Sequence, residues 1–192
     1  MSIIMKRKER IVLTAIEIIH ELGYQGLTIK EICKRQNVSE GALYKHYKSK
    51  KEIVLAVVNY YSKYDEDIKQ LVNMMNLSVK ESINFYITRF AEYYETYPAM
   101  TAIFNSKEIL KHEEGISGRV IDVFEAKSSF LTYLIESGKN TGQINTNIDS
   151  EVIADIILGS CRGITLKWRL RNFNFPLKER ILSANELILG SI

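Results

Sequence analysis

Ten residues between positions 28 and 50 carry the most suggestive chemistry of the chain: Thr28, Lys30, Ser39, Glu40, Gly41, Ala42, Tyr44, Lys45, His46 and Lys50. Most of them are hydrogen-bond donors or small residues, not an acid–base set. Hydroxyls, lysines, an imidazole and a phenol suit phosphate oxygens, and such contacts set register and affinity rather than sequence. Gly41 and Ala42 are small enough for a backbone to approach base edges or thymine methyls. Lys50 and Lys51 fall in the first turn of a helix that Ser49 is placed to cap. Cations there oppose the positive end of the helix dipole, and a bound anion relieves that cost.

No catalytic or metal-binding constellation accompanies these residues. The three histidines are His20, His46 and His112. His112-Glu113 opens like a zinc-protease motif, but Ile116 stands where the second histidine is needed. Cys-x-x-Cys, a glycine-rich phosphate loop and Gly-x-Ser-x-Gly are all missing from the sequence. The expectation is therefore no enzyme, no metal and no cofactor. Cys33 and Cys161 lie far apart among apolar helical residues and read as unpaired, buried thiols.

The elements that must position the donors are helices. Of 192 residues, 46% are hydrophobic and 26% charged, which fits a globular chain with a real core. Only 10 glycines and 2 prolines interrupt it, so long helices are expected rather than many short strands. No apolar run is long enough to span a membrane. The basic N-terminus is not followed by an apolar segment of the secretory kind, so a cytoplasmic protein is expected. Charge is unevenly placed. Residues 1–52 hold 11 of the 26 Lys/Arg and 6 of the 23 Asp/Glu, a net +5, which leaves −2 for residues 53–192. A basic head on a near-neutral body points the head at a polyanion.

A first helix over about 6–22 carries Ile11, Ala15, Ile18, Ile19 and Leu22 at helical spacing and ends at Gly23. Thr28 and Glu31 form a capping-box pattern for a short second helix, which stops at Asn37, a residue tolerant of left-handed backbone. Ser39 caps a third helix held by Val38, Leu43 and Tyr47. In the long fourth helix, Val54, Val57, Tyr61, Tyr64, Ile68, Leu71 and Met75 keep helical spacing. Five more helices follow, over about 78–97, 99–112, 117–138, 149–171 and 177–189, about nine in all. Two short helices joined by a tight turn, the second with a polar outer face, are the parts of a helix-turn-helix.

These residues also resemble the TetR family of one-component regulators. Thr28-Ile29-Lys30-Glu31-Ile32, then Val38 through Ile53 with Leu43-Tyr44-Lys45-His46-Tyr47, follow that family's signature in register from about Lys8 to Val57. Asn37 stands where the family usually has Gly, and Tyr47 where it has Phe. The resemblance implies an all-α chain, with a three-helix helix-turn-helix head over residues 1–52 and a helical ligand-binding and dimerisation body over 53–192. It implies a regulator, usually a repressor, that leaves a palindromic double-stranded DNA operator when a small effector binds. It places Thr28 and Lys30 at the start of the second helix against DNA. Glu40, Gly41, Ala42 and Lys45 fall on the recognition surface, Tyr44, His46 and Lys50 on phosphates, and the cap Ser39 counts among the DNA-binding residues.

In the body, Tyr64, Phe85, Tyr86, Phe90, Tyr93, Phe104 and Phe124 are either plain core or the lining of an apolar pocket for an aromatic or lipid-like effector. Residues 163–178, with Trp168 and Phe175-Pro176, resemble family members that sense fatty acyl-CoA, over a stretch too short to carry the ligand across. Gly159 and Gly163 lie four apart, each costing about 1 kcal/mol against Ala in a helix, which suggests close helix approach. With Ile156, Lys167, Leu182 and Leu189 they are the expected homodimer interface; packing within one chain is the alternative. A helical ligand-binding protein with a DNA-blind head is the rival class, and a regulator switched by a protein partner is a third possibility.

Overall fold

The computed structural model describes residues 6–192, with Lys107 described through its backbone alone. Residues 1–5, part of the N-terminal stretch read above, lie outside the described residues. Ten helices and no strand occur among the described residues: α1 (Arg7–Gly26), α2 (Ile29–Gln36), α3 (Glu40–Tyr44), α4 (Lys50–Met74), α5 (Val79–Thr96), α6 (Met100–Asn105), α7 (Lys107–Leu110), α8 (Ser117–Asn140), α9 (Ser150–Leu170) and α10 (Leu177–Gly190). The count exceeds nine because the segment expected over 99–112 divides at Ser106. There Ser106 Oγ donates to the Ala102 carbonyl at 2.7 Å, and Asn105 Nδ2 donates to the Thr101 carbonyl at 2.8 Å. Side chains that satisfy carbonyls locally compete with continuation of a helix.

The chain forms two compact units, Met1–Tyr64 with Ala99–Val123, and Asp65–Pro98 with Phe124–Ile192. The unit holding the head is thus larger than residues 1–52. Its core is aliphatic: Ile11, Ala15, Ile16, Ile18, Ile19, Leu27, Ile32, Leu43, Ile53 and Val57 are all buried. Leu22, expected inward, is 52% exposed. Gly23 adopts φ 70°, which kinks α1, and Leu22 packs over Gly26 instead of the core.

Caps set the helix-turn-helix. Thr28 Oγ1 accepts the Glu31 N–H at 3.1 Å, but the Glu31 carboxylate accepts from Arg35 Nε at 2.8 Å. Only half of the expected capping box forms, because a guanidinium that also pairs with Glu21 competes for the carboxylate. Asn37 takes the left-handed conformation, φ 51° and ψ 53°. Ser39 Oγ accepts the Ala42 N–H at 3.2 Å. Tyr47 is buried beside Leu43, and its hydroxyl donates to the Lys8 carbonyl at 3.3 Å, the partner a tyrosine in a phenylalanine position requires. Ser49 Oγ accepts the Glu52 N–H, and the Glu52 carboxylate accepts the Lys48 N–H, which closes the start of α4.

In the second unit, α10 packs on α5 and α9. Ser78 and Glu81 complete a capping box at α5, and Asp149 caps α9. Trp168 is buried and its Nε1 donates to the Phe175 carbonyl at 2.8 Å, which fixes the turn between α9 and α10. The inward stripe of α4 differs from the expected one. Tyr61, Asp65, Ile68 and Val72 are buried, whereas Leu71 and Met75 are exposed and Tyr64 is half-buried. A strict 4-3-4 spacing through Tyr61 selects Asp65, although it is charged.

The left-handed turn residue gives a direct check. Asn37→Ala should destabilise the chain by about 1–2 kcal/mol, and Asn37→Gly should stay within about 0.5 kcal/mol of the parent. Chemical denaturation of the purified variants measures both.

Candidate nucleic-acid interface and interior charge cluster

Helix starts and one short helix present the head's donors. Thr28, Lys30, Ser39, Glu40, Gly41, Tyr44 and Lys45 are exposed, while Ala42, His46 and Lys50 are half-buried. The Thr28 and Ser39 hydroxyls cap α2 and α3, so each sits among N–H groups at a helix start. A side chain added at Gly41 meets only the Ser39 Oγ at 4.0 Å, so the backbone there is open outward. Tyr44 is 42% exposed, a large ring with much of its surface presented to solvent.

Lys50 is not a free cation. Its Nζ lies 4.5 Å from the centroid of the Tyr24 ring. Lys8, absent from the expected set, lies with its Nζ 5.5 Å from the Tyr47 ring centroid. Cation–π contacts of this kind hold a flexible lysine in place, which lowers the entropy lost on meeting a phosphate. The signal for Lys8 was weak, since nothing in the sequence ties the start of α1 to position 47.

The body contains a feature that the sequence reading missed. Asp65 is 2% exposed, and three donors converge on it. Lys69 Nζ lies 2.7 Å from one carboxylate oxygen, Lys127 Nζ lies 3.3 Å from the other, and the Tyr86 hydroxyl donates to that second oxygen. Burial alone pushes the Asp65 carboxyl up, but Lys127, Lys69 and Tyr86 together hold it below the usual range. Burial dominates at Lys127, whose ammonium is brought down to about 8 although Asp65 opposes the shift. Burial and the Asp65 charge keep Tyr86 a neutral phenol. The Lys127 Nζ also sits 3.2 Å from the Phe90 ring centroid. A signal existed: Val120, Val123, Lys127, Leu131 and Leu134 share one face of α8, and all are buried.

The expected pocket residues distribute as follows. Tyr86 and Phe90 meet edge to face with centroids 5.1 Å apart, and Tyr86 also packs on Phe130 at 5.0 Å. Tyr93 joins this ring set through Tyr94, 6.3 Å away, which in turn lies 6.1 Å from Phe90. Phe85 and Phe124 are half-buried in the same unit. Tyr64 and Phe104 belong to the first unit, where Phe104 is buried. The Tyr86 hydroxyl is committed to Asp65, not left as a free handle.

On α9, Val152, Ile156, Gly159, Gly163, Leu166 and Leu170 repeat at intervals of four and three, and all are exposed. Nothing lies within 4 Å of a side chain built at Gly159 or Gly163. Lys167 is exposed and Leu182 half-buried. Leu189 departs from expectation: it is 3% exposed, because that face of α10 turns inward and its carbonyl accepts from Lys80 Nζ. Leu187, 77% exposed, takes the outward place.

Comparison with known proteins covers both parts of the chain. The family model "Bacterial regulatory proteins, tetR family" matches residues 11–57, and the model "YsiA-like protein, C-terminal region" matches residues 52–191. The fatty acid metabolism regulator protein of Bacillus subtilis (strain 168) is 21% identical over 197 residues, covering 98% of each chain. The fold is shared with the fatty acid degradation regulator FadR of Bacillus halodurans (TM-score 0.82, 16% identity, 97% of this chain and 100% of that one). It is shared also with FadR of Bacillus subtilis in complex with stearoyl-CoA (TM-score 0.80, 18% identity, 95% and 98% covered). Matched on the head by one family model and over the remainder by another, and built as a helix-turn-helix on a helical body, the chain belongs to the TetR family of DNA-binding transcriptional regulators.

Proposed function

We propose that this regulator is a homodimeric repressor that leaves a palindromic operator when a fatty acyl group, carried as its coenzyme A thioester, binds in the C-terminal body. The observation that carries the DNA half is the exposed donor surface of α2 and α3. Glu40, Gly41, Ala42 and Lys45 face base edges in this reading. Thr28, Lys30, Ser39, Tyr44, His46 and Lys50 hold phosphates, with Lys8 as an added contact. Acting on the chromosome, the protein works in the cytoplasm.

Two recognition helices need a two-fold partner to read successive grooves. The apolar heptad stripe of α9, with two glycines that allow close approach, supports a second copy as that partner. The effector class rests on the fatty acid metabolism regulator similar in sequence and on the regulators similar in fold, one of them solved with stearoyl-CoA. An interior ring set of the kind around Tyr86 and Phe90 suits a long apolar chain. The coupling element is α4. It starts at Lys50 beside the donor surface, and its later turns carry Asp65. An effector shifts the equilibrium by binding the operator-released conformation more tightly, by about 1–3 kcal/mol.

Three outcomes follow. Operator titrations across a salt series should show a steep fall of affinity with salt. Lys45→Ala should flatten the log–log slope by about 1, and Tyr44→Ala with Lys50→Ala should weaken binding by about ten- to a hundred-fold. Ile156→Glu should yield a folded monomer by analytical ultracentrifugation where the parent is a dimer, since the residue is already exposed in one protomer. A series of saturated thioesters from octanoyl- to stearoyl-CoA should release labelled operator at micromolar concentration while coenzyme A alone does not. If none of them changes operator affinity, the effector reading is wrong.

A further inference from the structure

The turn between α9 and α10 gathers positive charge and aromatic rings at the surface of the second unit. Residues 162–180 hold six Lys/Arg and one Glu, a net +5, which leaves −7 for the remainder of residues 53–192. A basic stretch on an acidic body points to an anionic partner, as it does in the head. Not every cation is available to one. Lys178 Nζ is bound to the Glu92 carboxylate at 2.9 Å, and Arg169 is half-buried. Arg171 and Arg180 differ. Arg171 is exposed and makes no ion pair among the described residues. Arg180 is exposed, and its guanidinium carbon lies 3.9 Å from the Phe175 ring centroid. A guanidinium laid on a ring keeps its N–H edges for oxygen. Basic residues near the end of α9 complement the helix dipole there. Arg180 stands in the opening turn of α10, where a cation opposes the dipole and a bound anion relieves the cost.

Trp168 fixes the rings. Its indole is buried, meets the Phe173 ring edge to face with centroids 4.7 Å apart, and donates from Nε1 to the Phe175 carbonyl. Asn172 and Phe173 both take positive φ, 50° and 62°. For a residue as bulky as Phe that backbone is unfavourable, and it persists only where the surroundings enforce it. Here the Phe173 N–H donates to the Trp168 carbonyl at 2.8 Å, which holds the turn closed. The ring is left 36% exposed, two residues along the chain from Arg171 and two from Phe175.

We propose that the α9–α10 turn binds the nucleotide head of the coenzyme A thioester, with Phe173 stacked on the adenine and Arg171 and Arg180 on its phosphates. The proposal rests on the acyl-coenzyme A reading above and assigns the part of the effector that is not the acyl chain. Two arginines and one ring suit a single nucleotide. Duplex DNA takes a longer run of cations along successive phosphates, and a lipid head group has no base to stack. A fatty acid has neither base nor phosphate, so this turn tells the thioester from the free acid.

Trp168 is the only tryptophan of the chain, so its fluorescence reports a ligand at this turn. Titration of the full-length protein with adenosine 3′,5′-bisphosphate should give a saturable change in that emission. Adenosine and inorganic pyrophosphate, each with one half of the head's chemistry, should bind more weakly by about ten-fold or more. Arg171→Glu and Arg180→Glu should each weaken the bisphosphate by about ten-fold or more. Lys63→Glu makes the same charge change at an exposed place on α4 and should stay within about two-fold of the parent. Phe173→Asn keeps a residue that tolerates the left-handed turn but removes the ring, and should bring the bisphosphate down to the level of pyrophosphate. The proposal falls if the bisphosphate leaves the emission unchanged, or if Lys63→Glu weakens it as much as Arg171→Glu does. It falls also if phosphatidylglycerol vesicles or random duplex DNA, and not the nucleotide, are bound through Arg171. Operator release by palmitoyl-CoA is scored separately. Equal release from wild type and Arg171→Glu, with no nucleotide binding, removes this site and leaves the acyl-released repressor standing. Nucleotide binding that depends on Arg171, without release by any thioester, upholds the site and removes that reading.

Discussion

A carboxylate in the buried stripe of a helix must be met by donors or not be there. Asp65 occupies that position on α4, between Tyr61 and Ile68, and Lys69, Lys127 and Tyr86 meet it from α4, α8 and α5. The requirement reaches outward. It sets the register of α8 against α4, since Lys127 must arrive at Asp65 while Lys69 reaches the Ala126 carbonyl. It also takes the Tyr86 hydroxyl, leaving Tyr86 to meet Phe90 and Phe130 through its ring. Aliphatic packing holds the rest of the unit together, but it does not specify register with comparable sharpness, because apolar contacts are non-directional.

The same helix serves the head under a different constraint. At Lys50 it must begin where the donors of α2 and α3 end, and its cap is built from Ser49, Glu52 and the Lys48 N–H. Lys50 then lies on the Tyr24 ring, just past the kink that Gly23 puts into α1. The head thereby presents Lys50 and Lys8 held on aromatic faces, at Tyr24 and Tyr47. That suits a surface meant for a polyanion. A lysine paired with a carboxylate must first give up its partner, whereas one resting on a ring keeps its charge available.

Local features were legible in the sequence and non-local ones were not. Asn37, Ser39, Ser49 and the Ser78–Glu81 box were readable because turn and cap chemistry involve residues within four of each other. The Thr28–Glu31 box was half right, since Arg35 and Glu21 decide where the Glu31 carboxylate goes. Leu22, Leu71 and Leu189 were misjudged for another reason. Each is apolar and in phase, but a kink, or a shift of the stripe by one residue, decides which phase faces in. Asp65 and Lys127 were passed over because a charged residue on an apolar stripe reads as an interruption. Their pairing spans 62 positions, and only the packing of α4 on α8 reveals it. The exposed stripe of α9 was half legible: Ile156, Gly159 and Gly163 were seen, but Val152, Leu166 and Leu170 extend it.

Burial makes the interior charge costly, and only its partners together offset that cost. The Lys127 ammonium titrates near 8 in the folded chain against 10.5 for an ordinary lysine. Between those values the unfolded chain holds a proton that the folded chain has lost, so this group makes stability rise with pH across that window. At neutral pH the ammonium is kept charged at a cost of burial that Asp65 offsets in part. Apolar residues of similar volume in place of a buried ion pair are often neutral or stabilising. Lys127 is held from two sides, by Asp65 and by the face of the Phe90 ring, and its contact in turn helps to hold Asp65 below the usual carboxylate range.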